Sequence, residues 1–331
     1  MKTLIDNQGN VSFGIIENPI DMVNYKDYPL KTPMGTPIPF WIRHFLFHQF
    51  FFVGLSGPEY IAGLAVVDLK YITNGFFYIY DRNRKKLFEK KALQPPFKKY
   101  AHIVTTPEQV SAHFSSKQLN IQIEKHHVSC HTKDIGLEID LDTSSTKPLR
   151  LCSRAGYNGW VYTQKTTPVS CNGKLNFGGQ STTVSSPQYM ALMDWTAGYM
   201  RRETFWNWAA ITSVLPDGRS LGLNLSCGVN ETSFTENGFW INGHFTKVDT
   251  VSFEYNRDDL FQPWKIRSFD NKVNLTFRAE THRTEKINAV LIASRFTQLI
   301  GIFEGSLTTD TSETSFLSNC VGWTEDHFAK W

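Results

Sequence analysis

Apolar and polar residues alternate with a period of two along much of this chain, the pattern of strands that bury one face. The alternation runs through "LNIQIEK" (119–125), "GLEIDLD" (136–142), "NGFFYIYD" (74–81), "SLGLNLS" (220–226), "NGFWING" (237–243), "KVNLTFRAE" (272–280) and "AVLIASRF" (289–296). Between the first two of these, "HHVSCHTKDI" (126–135) reads as a polar turn. Turn signals such as "PDG" (216–218), "DNK" (270–272) and repeated "NG" pairs punctuate the rest. Helical periodicity is scarce. Only "PEQVSAHFSSKQ" (107–118) combines a proline at a first helical position with some amphipathicity, and it is the one expected helix.

The same short strings recur in the same order. From Phe40 they run "FW" (40–41), "GLAV" (63–66), "NGFF" (74–77), "LCSR" (151–154), "NGKL" (172–175) and "DWT" (194–196). From Phe205 they run "FW" (205–206), "GLNL" (222–225), "NGFW" (237–240), "IASR" (292–295), "EGSL" (304–307) and "GWT" (322–324). Ordered self-similarity marks a duplicated unit. Units of this size with many short strands predict two antiparallel barrels in tandem, 1–198 and 199–331, in an all-β chain with little helix. The densest stretch, "MDWTAGYMRRETFWNWAAI" (193–211), falls at the join.

Composition narrows the function classes. The 331 residues carry a net charge of +3, with no basic arm to mark a nucleic-acid surface. The run "RNRKKLFEKK" (82–91) reads as a solvated hairpin tip. Aromatic residues make up 14%, which suits sheets or an apolar cavity. Five scattered cysteines without a C-x-x-C predict reduced thiols. The N-terminus lacks the apolar core of a signal peptide, and "FLFHQFFFVGL" (45–55) is too short to span a membrane. A cytoplasmic protein without a membrane span is expected, so the N-x-S/T sequons at Asn10, Asn224, Asn230 and Asn274 carry no glycan. Nucleotide-binding glycine loops and G-x-S-x-G and H-E-x-x-H motifs are all missing from the sequence. No cofactor and no metal are expected; "HHVSCH" (126–131) splits its potential ligands over two strand faces.

The segments "GWVYTQK" (159–165), "DWTAGYMRRETFWNWAA" (194–210), "LGLNLSCG" (221–228), "TENGFWING" (235–243), "PWKIRS" (263–268) and "GWTEDHFAKW" (322–331) resemble an uncharacterised bacterial family, domain of unknown function 2804. That family is similar to two-domain lipocalin-like proteins, among them carotenoid 1,2-hydratases, AttH-like proteins and pericyclase-type cyclases. The resemblance implies two lipocalin-like (calycin) barrels and an apolar pocket for lipid-, isoprenoid- or polyketide-like molecules. It also implies an acidic role for Asp194, which matches the first residue of the hydratases' D-H-N-W-G segment; the His-Asn-Trp part is not matched.

Candidate chemistry gathers at the join. Asp194 would be a general acid if the neighbouring tryptophans made an apolar pocket that kept it neutral; paired with Arg201 or Arg202, it would instead be structural. Arg201 and Arg202 can fork onto an anionic head group. Trp206 and Trp208 share one strand face and Asn207 the other, where it could orient a ligand or satisfy backbone groups. Lys165, sharing a face with Val161 and Thr163, could hold an anion, and Asn224 joins the candidate ligand contacts. "TENGFW" and "WTEDHF" add Glu236, a second candidate acid, with Glu325, Asp326 and His327. Two readings stay open: a hydrophobic-molecule binder with its cavity near the join, or a cofactor-free hydratase, isomerase or cyclase using Asp194.

Overall fold

A computed structural model describes residues 2–94, 101–228, 234–289 and 292–331. The sequon at Asn230 and the residues Val290 and Leu291 of "AVLIASRF" lie outside them. The first group of strands is β1 (Gly14–Ile15), β2 (His48–Ser56), β3 (Tyr60–Asp68), β4 (Thr73–Asp81), β5 (Lys86–Gln94), β6 (Ala101–Ile103) and β7 (Ser111–Ser115). It continues with β8 (Asn120–Glu124), β9 (His127–His131), β10 (Ile135–Asp142), β11 (Leu149–Ala155), β12 (Gly159–Phe177) and β13 (Gln180–Tyr199). The second group is β14 (Glu203–Val214), β15 (Ser220–Cys227), β16 (Gly238–Ile241), β17 (His244–Lys247) and β18 (Val251–Glu254). It ends with β19 (Trp264–Ser268), β20 (Val273–Ala289), β21 (Ile292–Thr308) and β22 (Thr314–Lys330). Among the described residues there is one α-helix, α1 (Phe40–Leu46), which leads into β2, and one short 3-10 turn at Tyr25–Asp27.

Each group forms one curled antiparallel half-barrel sheet. In the first, the order is β5-β4-β3-β2-β13-β12-β10-β9-β8-β7-β6, with β11 on β12 and β1 on β11; in the second it is β17-β16-β15-β14-β22-β21-β20-β19-β18. The plan is the same in both. The first long strand pairs with the last, β2 with β13 and β14 with β22, and an arm runs out from each side. Four of the six recurring strings lie on equivalent strands: "GLAV" and "GLNL" on β3 and β15, "NGFF" and "NGFW" on β4 and β16, "NGKL" and "EGSL" on β12 and β21, "DWT" and "GWT" on β13 and β22. The other two do not: Phe40-Trp41 is helical whereas Phe205-Trp206 is in β14, and "LCSR" is in β11 whereas "IASR" is in β21.

Equivalent strands need not present equivalent faces. Trp195 packs inside the first sheet, whereas Trp323 points out of the second and meets Phe52 of β2 at 6.3 Å between ring centroids. A one-residue slip in a strand reverses every side chain. Asp194 stands beside Phe52 and Ala65, and Trp323 beside Ala210 and Asn224, so the counterpart of Asp194 by register is Trp323 and not Gly322.

Both sheets are filled on their concave sides. Phe51, Leu64, Phe77, Trp160, Tyr162 and Trp195 belong to the first core; Leu223, Phe239, Trp264, Phe277 and Phe303 belong to the second. Each such side chain stabilises its sheet by about 1.5–3 kcal/mol. A third cluster, including Tyr78, Tyr80, Leu192, Trp208, Ile300 and Trp323, joins the outer faces of the two sheets back to back. Hydrogen bonds cross this seam, from Thr167 Oγ1 to the carbonyl of Ile211 (3.0 Å) and from Thr212 Oγ1 to the carbonyl of Ala191 (2.7 Å).

Two expected elements differ. The helix over 107–118 is a turn followed by β7, because Val110, Ala112 and Phe114 alternate inward and the core takes that face. The turn over 126–135 contains β9, whose Val128 and Cys130 are buried; His127 faces out to Asp140 at 2.8 Å. All five cysteines are free thiols.

The backbones approach closely across the seam at Gly222, where a Cβ would stand 2.4 Å from the carbonyl carbon and oxygen of Thr167. Gly222→Ala is expected to lower the free energy of unfolding by about 1–3 kcal/mol, as overpacking does. Gly136→Ala, whose Cβ would meet nothing nearer than 3.5 Å, is expected to stay within about 0.5 kcal/mol of wild type. Equal effects in urea titrations would contradict this account of the seam.

Candidate functional site

Strand alternation decides what the outer faces show each other. Because Phe51 and Val53 enter the first core, Phe50 and Phe52 must point out; Trp206 and Trp208 point out of β14 by the same rule. Between these faces lies a cavity of about 380 Å³, walled by Phe50, Phe52, Val67 and Phe76 on one side and Trp206, Trp208 and Phe296 on the other. The tryptophan face of β14 thus lines the space between the two units and not a barrel interior.

Charge collects on one wall. Lys165 and Asp194 are direct cross-strand neighbours on β12 and β13, and Lys165 Nζ lies 2.5 Å from Asp194 Oδ2. Glu236, on the segment entering β16, brings Oε1 to 3.5 Å from the same ammonium. Burial by itself would push the Lys165 pKa down, but Asp194 and Glu236 outweigh it and hold it above the ordinary lysine value. Burial pushes the Glu236 carboxyl up; Lys165 opposes that shift and Asp194 adds to it. The partner of Asp194 is therefore Lys165, not Arg201 or Arg202. Thr196 Oγ1 donates to the other Asp194 oxygen at 3.1 Å.

The opposite wall carries Glu325 and His327, two residues apart on β22. Trp206 Nε1 donates to Glu325 Oε2 at 2.9 Å, and Gln298 Nε2 donates to Oε1 at 2.7 Å. This carboxyl is partly buried and lines the cavity. Burial pushes its pKa up to about 7; the two N–H donors resist the shift and the charge of Asp194 adds to it. His327 is held neutral, its pKa pushed down to about 3 by burial and then by Arg283. Its ring lies 4.0 Å from that of Trp206, and its Nε2 is 3.1 Å from Ser294 Oγ. Arg283 crosses the seam to pair with Glu89 at 2.6 Å and covers the Phe76 ring at 3.8 Å.

The sequence candidates divide into three groups. Asp194, Glu236, Lys165, Arg201, Trp206 and Trp208 line the cavity. Asn224 braces it from behind, accepting from Trp208 Nε1 at 2.9 Å and donating to the Glu236 carbonyl at 2.8 Å. Asn207 and Arg202 are elsewhere: Asn207 donates to Tyr255 Oη (2.9 Å) and to the carbonyl of Glu325 (3.1 Å), and Arg202 donates to the carbonyl of Trp331. Arg283 was missed, because "FRAETHRTEK" alternates like a solvated strand. The outward series Val321, Trp323, Glu325 and His327 on β22 was the available signal for the second wall.

Glu325 and His327 give opposite pH signatures. A Glu325 pKa raised from 4.5 to about 7 contributes stability that is full below pH 4.5 and lost as pH rises through 7. A His327 pKa lowered from 6.5 to about 3 contributes stability present above pH 6.5 and lost as pH falls toward 3. Their slopes, each about 1.4 kcal/mol per pH unit, cancel between pH 4.5 and 6.5 in the wild type. Urea titrations at pH 5 and 6.5 are expected to show, relative to wild type, stability rising with pH by about 2 kcal/mol in Glu325→Gln and falling by about as much in His327→Phe. Parallel profiles for all three proteins would refute the burial of these groups.

Comparison with known proteins fixes the fold. A kievitone hydratase from Nectria haematococca superposes with a TM-score of 0.52 at 9% identity, covering 85% of this chain and 88% of its own. The protein CghA superposes with a TM-score of 0.52 at 9% identity, covering 100% and 97%. A protein described as AttH from Nitrosomonas europaea gives a TM-score of 0.47 at 14% identity, covering 85% and 92%. The architecture is that of the two-domain lipocalin-like proteins. No curated protein matches the sequence. Over residues 1–331 the chain matches the family described as a domain of unknown function, DUF2804, and it belongs to that family.

Proposed function

We propose that the protein binds a hydrophobic small molecule, of lipid-, isoprenoid- or polyketide-like size, in the cavity between its two sheets. The observation that carries this reading is the wall: aromatic and aliphatic side chains on both sheets, with a few polar groups converging at fixed positions. A seam needed only for adhesion would be filled like the Trp208–Trp323 cluster beside it. The division into units at 198/199 fits this proposal, since β13 ends at Tyr199 and β14 begins at Glu203, on opposite sides of the cavity.

The second reading, a cofactor-free hydratase, isomerase or cyclase with Asp194 as the acid, is less favoured. An ammonium at 2.5 Å suits a carboxylate anion, which accepts protons and does not donate them.

Native mass spectrometry of protein purified from its host should show a co-purified apolar molecule released on denaturation. Across a panel of fatty acids, terpenoids and polyketides, at least one should quench tryptophan emission by contact with Trp206 and Trp208. Ala65→Phe, which places a ring in the cavity, should weaken that ligand at least about tenfold, a loss of about 1.4 kcal/mol, with thermal stability unchanged. If nothing co-purifies and nothing on the panel binds, the reading is wrong.

A further inference from the structure

We propose that Glu325 and Asp194 form a donor–acceptor pair for cofactor-free proton transfer on an apolar carbonyl compound held in the cavity: Glu325 hydrogen-bonds the carbonyl oxygen, and Asp194 removes the proton from the adjacent carbon. The proposal rests on the binding reading and adds to it a substrate class and a reaction.

The placement follows from register. Asp194 is paired with Phe52 across β13 and β2, and Glu325 with Trp208 across β22 and β14. The Phe52 and Trp208 rings meet edge to face at 6.0 Å, which brings the two carboxyls to facing walls of one cavity. Their surroundings differ in the way that separates a base from an acid. Asp194 has a full positive charge at 2.5 Å. Glu325 is hydrogen-bonded by two neutral N–H donors, Trp206 and Gln298, one on each oxygen, and the Arg283 charge, which favours its ionised form, is engaged by Glu89. Each oxygen keeps a second lone pair where a proton can sit. One carboxyl held against an ammonium and another held by neutral donors, in one apolar site, are the arrangement that performs base and acid steps together. The other charged groups on the cavity are Lys165, Glu236, Arg201, Arg283, Glu285 and Lys330, with neutral His327 beside Glu325. Of these, Arg283 is engaged by Glu89, and Lys165 is shared between Asp194 and Glu236.

The step balances without any oxidant or reductant. The Asp194 carboxylate takes the proton, and the C–H electron pair becomes the new C=C bond. The carbonyl π pair moves onto oxygen, which receives the proton of Glu325 and gives an enol. Once Asp194 has traded that proton with solvent, its return to the same carbon, with the enol proton going back to Glu325, exchanges the carbon's hydrogen with solvent. Return to the far carbon of a β,γ-unsaturated ketone moves the double bond into conjugation, and Glu325 recovers its proton from the enol oxygen. Lys165 and Trp206 are positioning residues in this scheme.

Two probes test it: 2-undecanone in D2O, with α-deuteration followed by NMR, and androst-5-ene-3,17-dione, with conjugation followed by ultraviolet absorbance. Tryptophan quenching by each ketone is measured in parallel. The expected result is turnover of at least one ketone above protein-free buffer, declining as pH rises through about 7, where Glu325 loses its proton. Glu325→Gln and Asp194→Asn are each expected to lower the rate at least about 100-fold, with ketone affinity held within about threefold of wild type. If Asp194→Asn fails to fold because Lys165 is left with one partner, the pair Lys165→Met and Asp194→Asn removes both charges and takes its place. Ketones that bind without turnover, or variants as fast as wild type, overturn the proton-transfer proposal and leave the binding reading intact. Absence of quenching by both ketones also overturns the proton-transfer proposal, and the binding reading is then decided by the wider panel and by what co-purifies.

Discussion

An ammonium group cannot be drawn from water into the seam between two sheets unless carboxylates meet it there, and Lys165 is such a group. Its side chain is 6% exposed, and its two partners come from different units: Asp194 from β13 and Glu236 from the segment entering β16. Breaking a buried pair by removing one partner costs about 3–5 kcal/mol, far more than an exposed pair contributes. This charge cluster therefore fixes how the second sheet stands against the first. It also sets a polar point on the wall of a cavity that is otherwise mostly apolar. Arg283 repeats the device across the seam, pairing with Glu89 of β5 and covering Phe76 of β4. Between these two clusters, the aromatic faces of β2, β4, β14 and β22 are held far enough apart to leave space.

Each sheet packs its own concave side with large apolar side chains. The cavity lies where the two outer faces meet, and large rings stand there among aliphatic side chains such as Leu192 and Ile300. Phe52, Trp208 and Trp323 touch edge to face, an arrangement that aromatic pairs favour over close parallel stacking. The same rings hold the polar groups. Trp206 is bonded to Glu325, and Trp208 reaches Glu236 through Asn224. Packing and chemistry in this region are thus carried by the same side chains.

Much of the fold was legible in the sequence because period-two alternation is a direct readout of a half-buried strand. "LNIQIEK", "GLEIDLD" and "SLGLNLS" became β8, β10 and β15 with little shift at their ends. The internal repeat was legible as order along the chain, and four of its six strings fell on equivalent strands. Which face each string presents was not legible. "DWT" and "GWT" share a spelling, but Trp195 points into one core and Trp323 out of the other. The site was partly legible for the same reason. Asp194, Trp206 and Trp208 stood out as an unusual cluster, and Lys165 lay in a motif already singled out. The pairing of Lys165 with Asp194 depends on the β12–β13 register, and the meeting of Glu325 with that pair depends on how two sheets dock. Both are long-range facts that no local pattern encodes. Arg283 was hidden because an alternating charged strand looks the same whether its outer face meets water or a second sheet.

The central claim is that the ligand space lies between the two sheets and not inside either one. Crystals of the protein pressurised with xenon test this directly, since xenon enters dry apolar cavities and is visible as isolated electron density. The account predicts xenon bounded by Phe52, Phe76, Trp206 and Trp208, displaced when Ala65→Phe fills that space. Xenon found only among the core residues of a single sheet, with the seam empty, would contradict it.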